Sequence, residues 1–290
     1  MNYCGRFAPS PSGPLHFGSV IAALGSYLQS KYHHGKWLVR IDDIDTTRSR
    51  DSAITQILKQ LEQLGLYWDD KIVYQSKRTE LYQEALEQLI KQDLVYACEC
   101  TRKQIGAAPY SGTCREKNLP FSKRHSLRIK TNNETLLLED KLQDDLQINV
   151  QQSQGDFIIK RTDGLFAYHL ATVIDDQAQG ITEVVRGADL YESTISQCYL
   201  QHCLSLERPD YFHLPVAYDE MGKKISKSDG VHSLDMNDPV KIIYQALNFL
   251  GQDTPQTETF NKVEELLSYA IEHWCINSIP KQQSIPVKLV

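Results

Sequence analysis

Two short stretches carry side chains suited to handling phosphate. Pro14-Leu15-His16-Phe17-Gly18-Ser19 lies between a strand-like run and a helical pattern. A helix N-terminus offers unpaired backbone N–H groups and the positive end of a dipole, which suits a polyphosphate. Gly18 would let the backbone approach such a ligand closely, and His16 has a ring N–H to donate. The competing reading is a turn rich in proline and glycine with an incidental surface histidine. The second stretch, Gly222-Lys223-Lys224-Ile225-Ser226-Lys227-Ser228, is a basic loop led by glycine. Lysines on a mobile loop can close over a triphosphate and neutralise charge as pyrophosphate leaves. Taken alone, such a loop is more simply a solvated basic surface.

A third cluster concerns metal. The chain has 7 cysteines. An odd count in a reducing compartment points to thiols or metal ligands rather than bridges. Cys98, Cys100 and Cys114 crowd into one short stretch, and three thiolates are most of a structural zinc site, which takes four ligands in a tetrahedron. The short loop holds no fourth cysteine or histidine; His125 is the nearest histidine downstream. The alternative is three free thiols.

The elements that must position these groups follow from periodicity. Residues 3–8 read as a short buried strand and residues 9–18 as a turn-rich link. Ile21, Leu24 and Leu28 then mark one face of a helix, and residues 37–41 form an apolar strand interrupted by Arg40. Strand, helix, strand is the βαβ unit of a parallel sheet. Ile54, Ile57, Leu58, Leu61 and Leu64 stripe a helix over residues 52–64, with Gly65 placed to stop it. A second helix covers residues 77–91, with Leu81, Ala85 and Leu89 facing inward. After Val95 the texture changes to cysteine, lysine, asparagine and short strand-like runs at residues 126–129 and 157–160, as expected of an inserted module. Regular alternation resumes near Leu170, with a helix over 194–206, a strand over 214–218 and helices from about residue 237.

Composition sets the outer bounds. A chain of 290 residues, 41% hydrophobic, fits a nucleotide-binding core with added modules. No run approaches the ~20 apolar residues of a membrane span, and the opening MNYCGRFAPS lacks the basic start and apolar core of a secretory signal. These features predict a cytoplasmic protein. A net charge of -6 argues against a strongly basic nucleic-acid binder, although a local basic face can still hold phosphate.

Several blocks in order carry a family resemblance. Arg6-Phe7-Ala8-Pro9-Ser10-Pro11-Ser12-Gly13, continuing to Ser19, resembles the opening of the glutamyl-tRNA synthetases, which belong to class I. His16 to Ser19 stands where that family has HIGH, and Lys224 to Ser228, reading KISKS, where it has KMSKS. Arg40-Ile41-Asp42-Asp43-Ile44-Asp45 resembles RIEDxD. Asp163-Gly164 through Tyr168, Asp175-Asp176, and Gly180-Ile181-Thr182 through Arg186-Gly187 resemble DGxxxYxxA, DD and GITxxxRG. The resemblance runs to about residue 240.

It implies an α/β fold: a Rossmann-like parallel sheet with an inserted zinc-containing, acceptor-type domain and a C-terminal helical stem-contact domain. The implied divisions are residues 1–94 and 162–225 for the catalytic halves, 95–161 for the insert and 226–290 for the KISKS loop and stem-contact helices. His16 and Lys227 become the catalytic groups. ATP would meet His16, Gly18, Ser19, Lys224 and Lys227, with Mg2+. L-Glutamate would meet Arg6, Phe7, Ala8, Pro9, Ser10, Asp42, Tyr168 and Arg186. Arg6 would pair with the side-chain carboxylate, as a guanidinium fork suits a planar carboxylate; a structural salt bridge is the alternative for Arg6 and Arg186. Asp42 stands where the family usually has Glu, one methylene longer, so a direct contact to the amino group could become water-mediated.

Within the same resemblance, shorter relatives pair Cys-x-Cys with Tyr-x-x-x-Cys. That pattern implies Tyr110 as fourth ligand beside Cys98, Cys100 and Cys114, holding one structural Zn2+ per chain. Those relatives lack the helical domain with which glutamyl-tRNA synthetases read the anticodon. They attach glutamate to queuosine at the wobble position of tRNA(Asp), so the expected partner is the anticodon arm of tRNA(Asp), met by a monomer. The rival readings are a catalytic half that works with a separate anticodon-binding partner, a regulatory paralogue without the chemistry, and a HIGH-type nucleotidyltransferase making a small cofactor, which the Arg6 and Arg186 blocks disfavour.

Overall fold

The computed structural model describes residues 2–219, 234–255 and 259–287. Its first half is built of β1 (Cys4–Phe7), α1 (Phe17–Tyr32), β2 (Lys36–Ile41), α2 (Asp51–Gln63), β3 (Val73–Tyr74) and α3 (Thr79–Lys91). Then come β4 (Val95–Cys98), α4 (Arg102–Ile105), β5 (Ser126–Ile129), β6 (Thr135–Leu138), β7 (Leu146–Asn149), α5 (Val150–Ser153) and β8 (Ile158–Lys160). The chain continues through α6 (Tyr168–Ala178), β9 (Glu183–Gly187), α7 (Tyr191–Cys203), β10 (Asp210–Leu214), β11 (Val216–Tyr218), α8 (Pro239–Phe249), α9 (Val263–Glu272) and β12 (Ser284–Pro286).

Parallel pairing defines the fold. β1 pairs with β2, β2 with β3, β9 with β10 and β11 with β12, all parallel. Between these halves the chain changes habit: β4, β5 and β8 form one antiparallel sheet and β6 and β7 another. β1 and β9 start side by side, because the Thr182 amide donates to the Cys4 carbonyl at 2.9 Å and the Cys4 amide donates to Thr182 Oγ1 at 2.9 Å. From β1 the chain crosses by α1 to β2 on one side; from β9 it crosses by α7 to β10 on the other. That reversal is a topological switch point, where open parallel sheets hold ligands beyond the strand C-termini.

Period-2 alternation sorts the strand residues to two faces. Phe7, Trp37, Val39, Val185 and Phe212 join the core made with α1 and α2. The opposite face starts apolar, with Cys4, Leu38, Val184 and Tyr211 packed together. Two residues further along the same four strands stand Arg6, Arg40, Arg186 and His213, all buried. One face of the sheet therefore turns from oily to charged at the end where the switch point lies.

The helices agree with the sequence pattern in most particulars. In α2, Ile57 and Leu61 are fully buried, and Gly65 ends the segment at φ 70°. In α3, Tyr82 is fully buried and Leu81 only partly so, because the helix begins at Thr79 and its inward face includes Tyr82, Leu86 and Leu89. The single strand expected over 214–218 is two, broken at Pro215, which has no N–H for a ladder. α8 and α9 pack into the same core as α1, with Phe17 edge-on to Phe249 at 6.1 Å. The tail also adds β12, a strand that periodicity did not signal. Among the described residues no helix is long and apolar enough to cross a membrane.

Candidate active site and cysteine cluster

A cavity of about 510 Å³ opens at the switch point. Arg6, Phe7, Ala8, Pro9 and Ser10 line it from the end of β1, and His16, Gly18 and Ser19 from the start of α1. Tyr168 and Arg186 close the other side. His16 is the N-cap of α1, and its Nδ1 accepts from the Ser19 amide at 3.3 Å. Acceptance at Nδ1 puts the neutral ring's proton on Nε2. Lys224 and Lys227 lie outside the described residues.

Behind Arg6 lies a buried ionic layer. Asp176 accepts from Arg6 twice, Nε to Oδ1 at 3.2 Å and Nη2 to Oδ2 at 3.3 Å, and from Arg40 Nη1 at 2.6 Å. Arg40 Nε donates to Asp42 Oδ1 at 2.8 Å. Asp175, fully buried, accepts from Gln75 at 2.9 Å, Arg78 at 2.6 Å and the Tyr82 hydroxyl at 2.7 Å. Arg6, Arg40 and Arg78 thus balance Asp42, Asp175 and Asp176, which a desolvated cluster requires. Burial alone would raise Asp176, but Arg6 and Arg40 hold it below the usual carboxylate range. Burial does win at Asp42, pushing its carboxyl up to about 6 against the pull of Arg40. Asp42 stands behind the cavity wall rather than among its lining residues, with its carboxylate turned to Arg40.

Arg186 is fixed from three directions. Its Nη2 donates to Thr194 Oγ1 at 2.7 Å and Gln197 Oε1 at 2.8 Å, both on α7, and its Nε donates to His213 Nε2 at 3.1 Å. Tyr168, the first residue of α6, also lines a neighbouring cavity of about 630 Å³. That second space is bounded by Arg102, Arg128 and Arg161, by the rings of Phe157 and His169, and by Tyr110.

Tyr110 belongs to the cysteine cluster. The thiols of Cys98, Cys100 and Cys114 lie within 4.8 Å of one another. The Tyr110 hydroxyl sits 3.4 Å from Cys98 Sγ and 3.2 Å from Cys100 Sγ. A tetrahedral zinc with bonds of roughly 2.3 Å to sulfur and 2.0 Å to oxygen needs S···O edges of about 3.5 Å, so the donor set fits that ion. His125 instead bonds the Pro120 carbonyl at 2.9 Å and is not in the cluster. Burial and the three thiols push the Tyr110 phenol up, so a phenolate there would depend on the charge of a cation. Gly155 makes room for this arrangement: at φ 60° a Cβ would lie 2.4 Å from the Tyr110 nitrogen. Asp156 then anchors the loop through Tyr96, Arg115 and Thr131.

Sequence reasoning placed Arg6, His16, Tyr168 and Arg186, which meet at one cavity. It assigned no part to Asp176 as the clamp of Arg6, to Arg40 as the bridge to Asp42, or to His213. The available signal was a charged residue at the end of an apolar strand, as Arg40 is in residues 37–41.

A parallel sheet with a ligand cavity at its switch point and a histidine-capped helix N-terminus is the frame of a class I synthetase catalytic domain. The sequence matches the family described as "tRNA synthetases class I (E and Q), catalytic domain" over residues 4–278, and the chain belongs to that family of ATP-dependent ligases. Among its relatives is the glutamyl-Q tRNA(Asp) synthetase of Photorhabdus laumondii, 47% identical over 98% of this chain and 90% of that one. The glutamyl-Q tRNA(Asp) synthetase of Yersinia pseudotuberculosis is 48% identical over 98% of this chain and 86% of its own. The crystal structure of a glutamate-tRNA synthetase from Elizabethkingia anophelis shares the fold, with a TM-score of 0.82 at 24% identity over 99% of this chain and 68% of that one.

The ionic layer yields a stability prediction. Asp175→Ala should cost about 3–5 kcal/mol, because Arg78, Tyr82 and Gln75 lose their shared acceptor in a desolvated place. Asp175→Asn, which keeps one carbonyl acceptor, should cost less. Urea unfolding checks both; a loss under about 1 kcal/mol for the alanine variant would mean that the layer is not a stabilising cluster.

Proposed function

We propose that this chain activates L-glutamate with ATP in the absence of tRNA and transfers the glutamyl group to queuosine at the wobble position of tRNA(Asp). The observation that carries the reading is one cavity bounded by two buried guanidinium groups, Arg6 and Arg186, and by the N-terminus of α1. Two fixed cations suit an amino acid with two carboxylates; a helix N-terminus suits the α-phosphate of ATP. The names of the relatives support the acceptor.

In the first step an oxygen of the glutamate α-carboxylate attacks the α-phosphorus, the bond to pyrophosphate breaks, and glutamyl-adenylate forms. In the second, a hydroxyl of the accepting nucleoside attacks the adenylate carbonyl, AMP leaves, and the hydroxyl proton is released. No side chain is a nucleophile. Positioning and charge stabilisation do the catalysis: His16 through Nε2–H, the amide of Gly18 with Ser19 beside it, and Lys224 and Lys227 toward the phosphates. Mg2+ entering with ATP supplies further charge on the phosphates. Arg6 holds the glutamate side chain, Tyr168 and Arg186 the other end, and Ser10 lies in the same pocket. Asp42 meets the amino group through water, since its carboxylate is committed to Arg40. The second cavity meets the first at Tyr168, and its three arginines and aromatic rings suit phosphates and a splayed base.

Residues 95–161 form the acceptor-type module and residues 226–290 the stem-contact region, around catalytic halves at 1–94 and 162–225. The module carries one structural Zn2+ on Cys98, Cys100, Cys114 and Tyr110. The enzyme acts as a cytoplasmic monomer.

ATP–pyrophosphate exchange dependent on glutamate should appear with no RNA present. Labelled glutamate should then enter tRNA(Asp) that carries queuosine and lacks its 3′-terminal adenosine, and should not enter the same tRNA without queuosine. Incorporation that needs the 3′ adenosine would instead mark a synthetase acting on the acceptor end. Elemental analysis of the purified chain should find about one zinc per molecule, and Cys100→Ser should lower that content; a zinc-free, fully active protein would return the cluster to three thiols.

A further inference from the structure

Behind Arg186 stands a pair of buried groups that the chemistry above does not use. His213, at the end of β10, pairs in register with Arg186 on β9. Its Nδ1 lies 2.5 Å from Asp140 Oδ2, and neither side chain is exposed. Asp140 Oδ1 is itself fixed by the amides of Leu142 at 3.0 Å and Gln143 at 2.9 Å. We propose that Asp140 and His213 are positioning residues that lock one imidazole tautomer and so aim Arg186 at the amino acid, an inference that rests on Arg186 holding glutamate.

Arg186 Nε–H can only donate, so His213 Nε2, at 3.1 Å, must accept. The proton of a neutral imidazole is then on Nδ1, where the Asp140 carboxylate receives it. An imidazolium would face Arg186 with an N–H against an N–H and a charge against a like charge. Burial, with Arg186 and Arg6 nearby, takes His213 down to about 4, although Asp140 pulls the other way. Tyr191 packs edge-on to the ring at 5.0 Å and Tyr211 stacks on it at 6.0 Å, which hinders a flip. With Nε on His213 and Nη2 on Thr194 and Gln197, Nη1 is the nitrogen of Arg186 that is buried without a protein partner among the described residues. That unmet donor belongs to a residue that lines the cavity.

Paired substitutions separate aim from mere packing. In His213→Gln the amide oxygen reaches the Nε2 position and still accepts from Arg186. In His213→Asn the amide reaches only the Nδ1 position, so Arg186 loses its acceptor. Asp140→Asn presents an N–H to Nδ1 and forces the wrong tautomer, the logic by which an Asp→Asn change disables a catalytic triad. Measured by ATP–pyrophosphate exchange on the full chain, His213→Asn and Asp140→Asn should raise the glutamate KM by about tenfold or more, as loss of a bond to a charged group implies. The KM for ATP should hold, and His213→Gln should restore most of the glutamate KM. Equal effects of Gln and Asn, or parallel loss for glutamate and ATP, would overturn the proposal. Nitrogen-15 NMR of the wild-type ring is the second readout: protonation at Nδ1 supports it, and protonation at Nε2 overturns it even if a variant fails to fold. A wild-type chain showing no glutamate-dependent exchange would refute the proposed activity, while the NMR result would still judge the tautomer.

Discussion

Asp176 accepts hydrogen bonds from guanidinium groups on two adjacent strands, Arg6 of β1 and Arg40 of β2, in a place closed to water. A carboxylate faces each buried charge, Asp176 for Arg6 and both Asp176 and Asp42 for Arg40, since an uncompensated buried charge is costly. Asp176 comes from α6, so the helix is tied to the sheet at the level where the strands end. Asp175 beside it ties in Arg78 and Tyr82 and so draws α3 into the same layer. The charged face of the sheet is thereby rigid before any substrate arrives. Such rigidity would let Arg6, in the proposed role, meet a carboxylate without a further ordering cost.

The opposite face has a different task. α1 must present its N-terminus beside that layer, and an apolar core shared with α2, α8 and α9 holds it there. Trp274, just past α9, donates to Gln29 on α1 at 2.7 Å, and Gln29 donates to Glu183 on β9 at 2.7 Å. The C-terminal helices are thus linked through α1 to the strand that carries Arg186. Substrate groups bound at the cavity would rest on both faces: charge on one and helix N-terminus on the other.

Much of this was legible in sequence because the motifs report local geometry. A proline- and glycine-rich link before a helical stripe gives the N-terminus of α1, and Cys-x-Cys followed by Cys114 gives three thiols, with Tyr110 added only by the family resemblance. Contacts between elements far apart in the chain leave no such mark. Asp176 is 170 positions from Arg6, and His213 is 73 from Asp140. Asp140 in particular sits in the inserted stretch, where no motif singled it out. Asp42 illustrates the converse: the motif identified the position, but its carboxylate faces Arg40, a relation within one strand end that the motif does not describe. The strand break at Pro215 and the pairing of β12 were likewise invisible to a periodicity argument, since runs of three residues carry too little pattern.

In the proposed activity Asp176 holds Arg6 in place for the carboxylate of the amino acid. Asp176→Asn tests it most directly, as the change removes the charge and keeps the shape. Glutamate-dependent ATP–pyrophosphate exchange by a variant shown to be folded should have a glutamate KM raised by about tenfold or more, with the ATP KM unchanged. A folded Asp176→Asn variant with an unaltered glutamate KM would contradict the account.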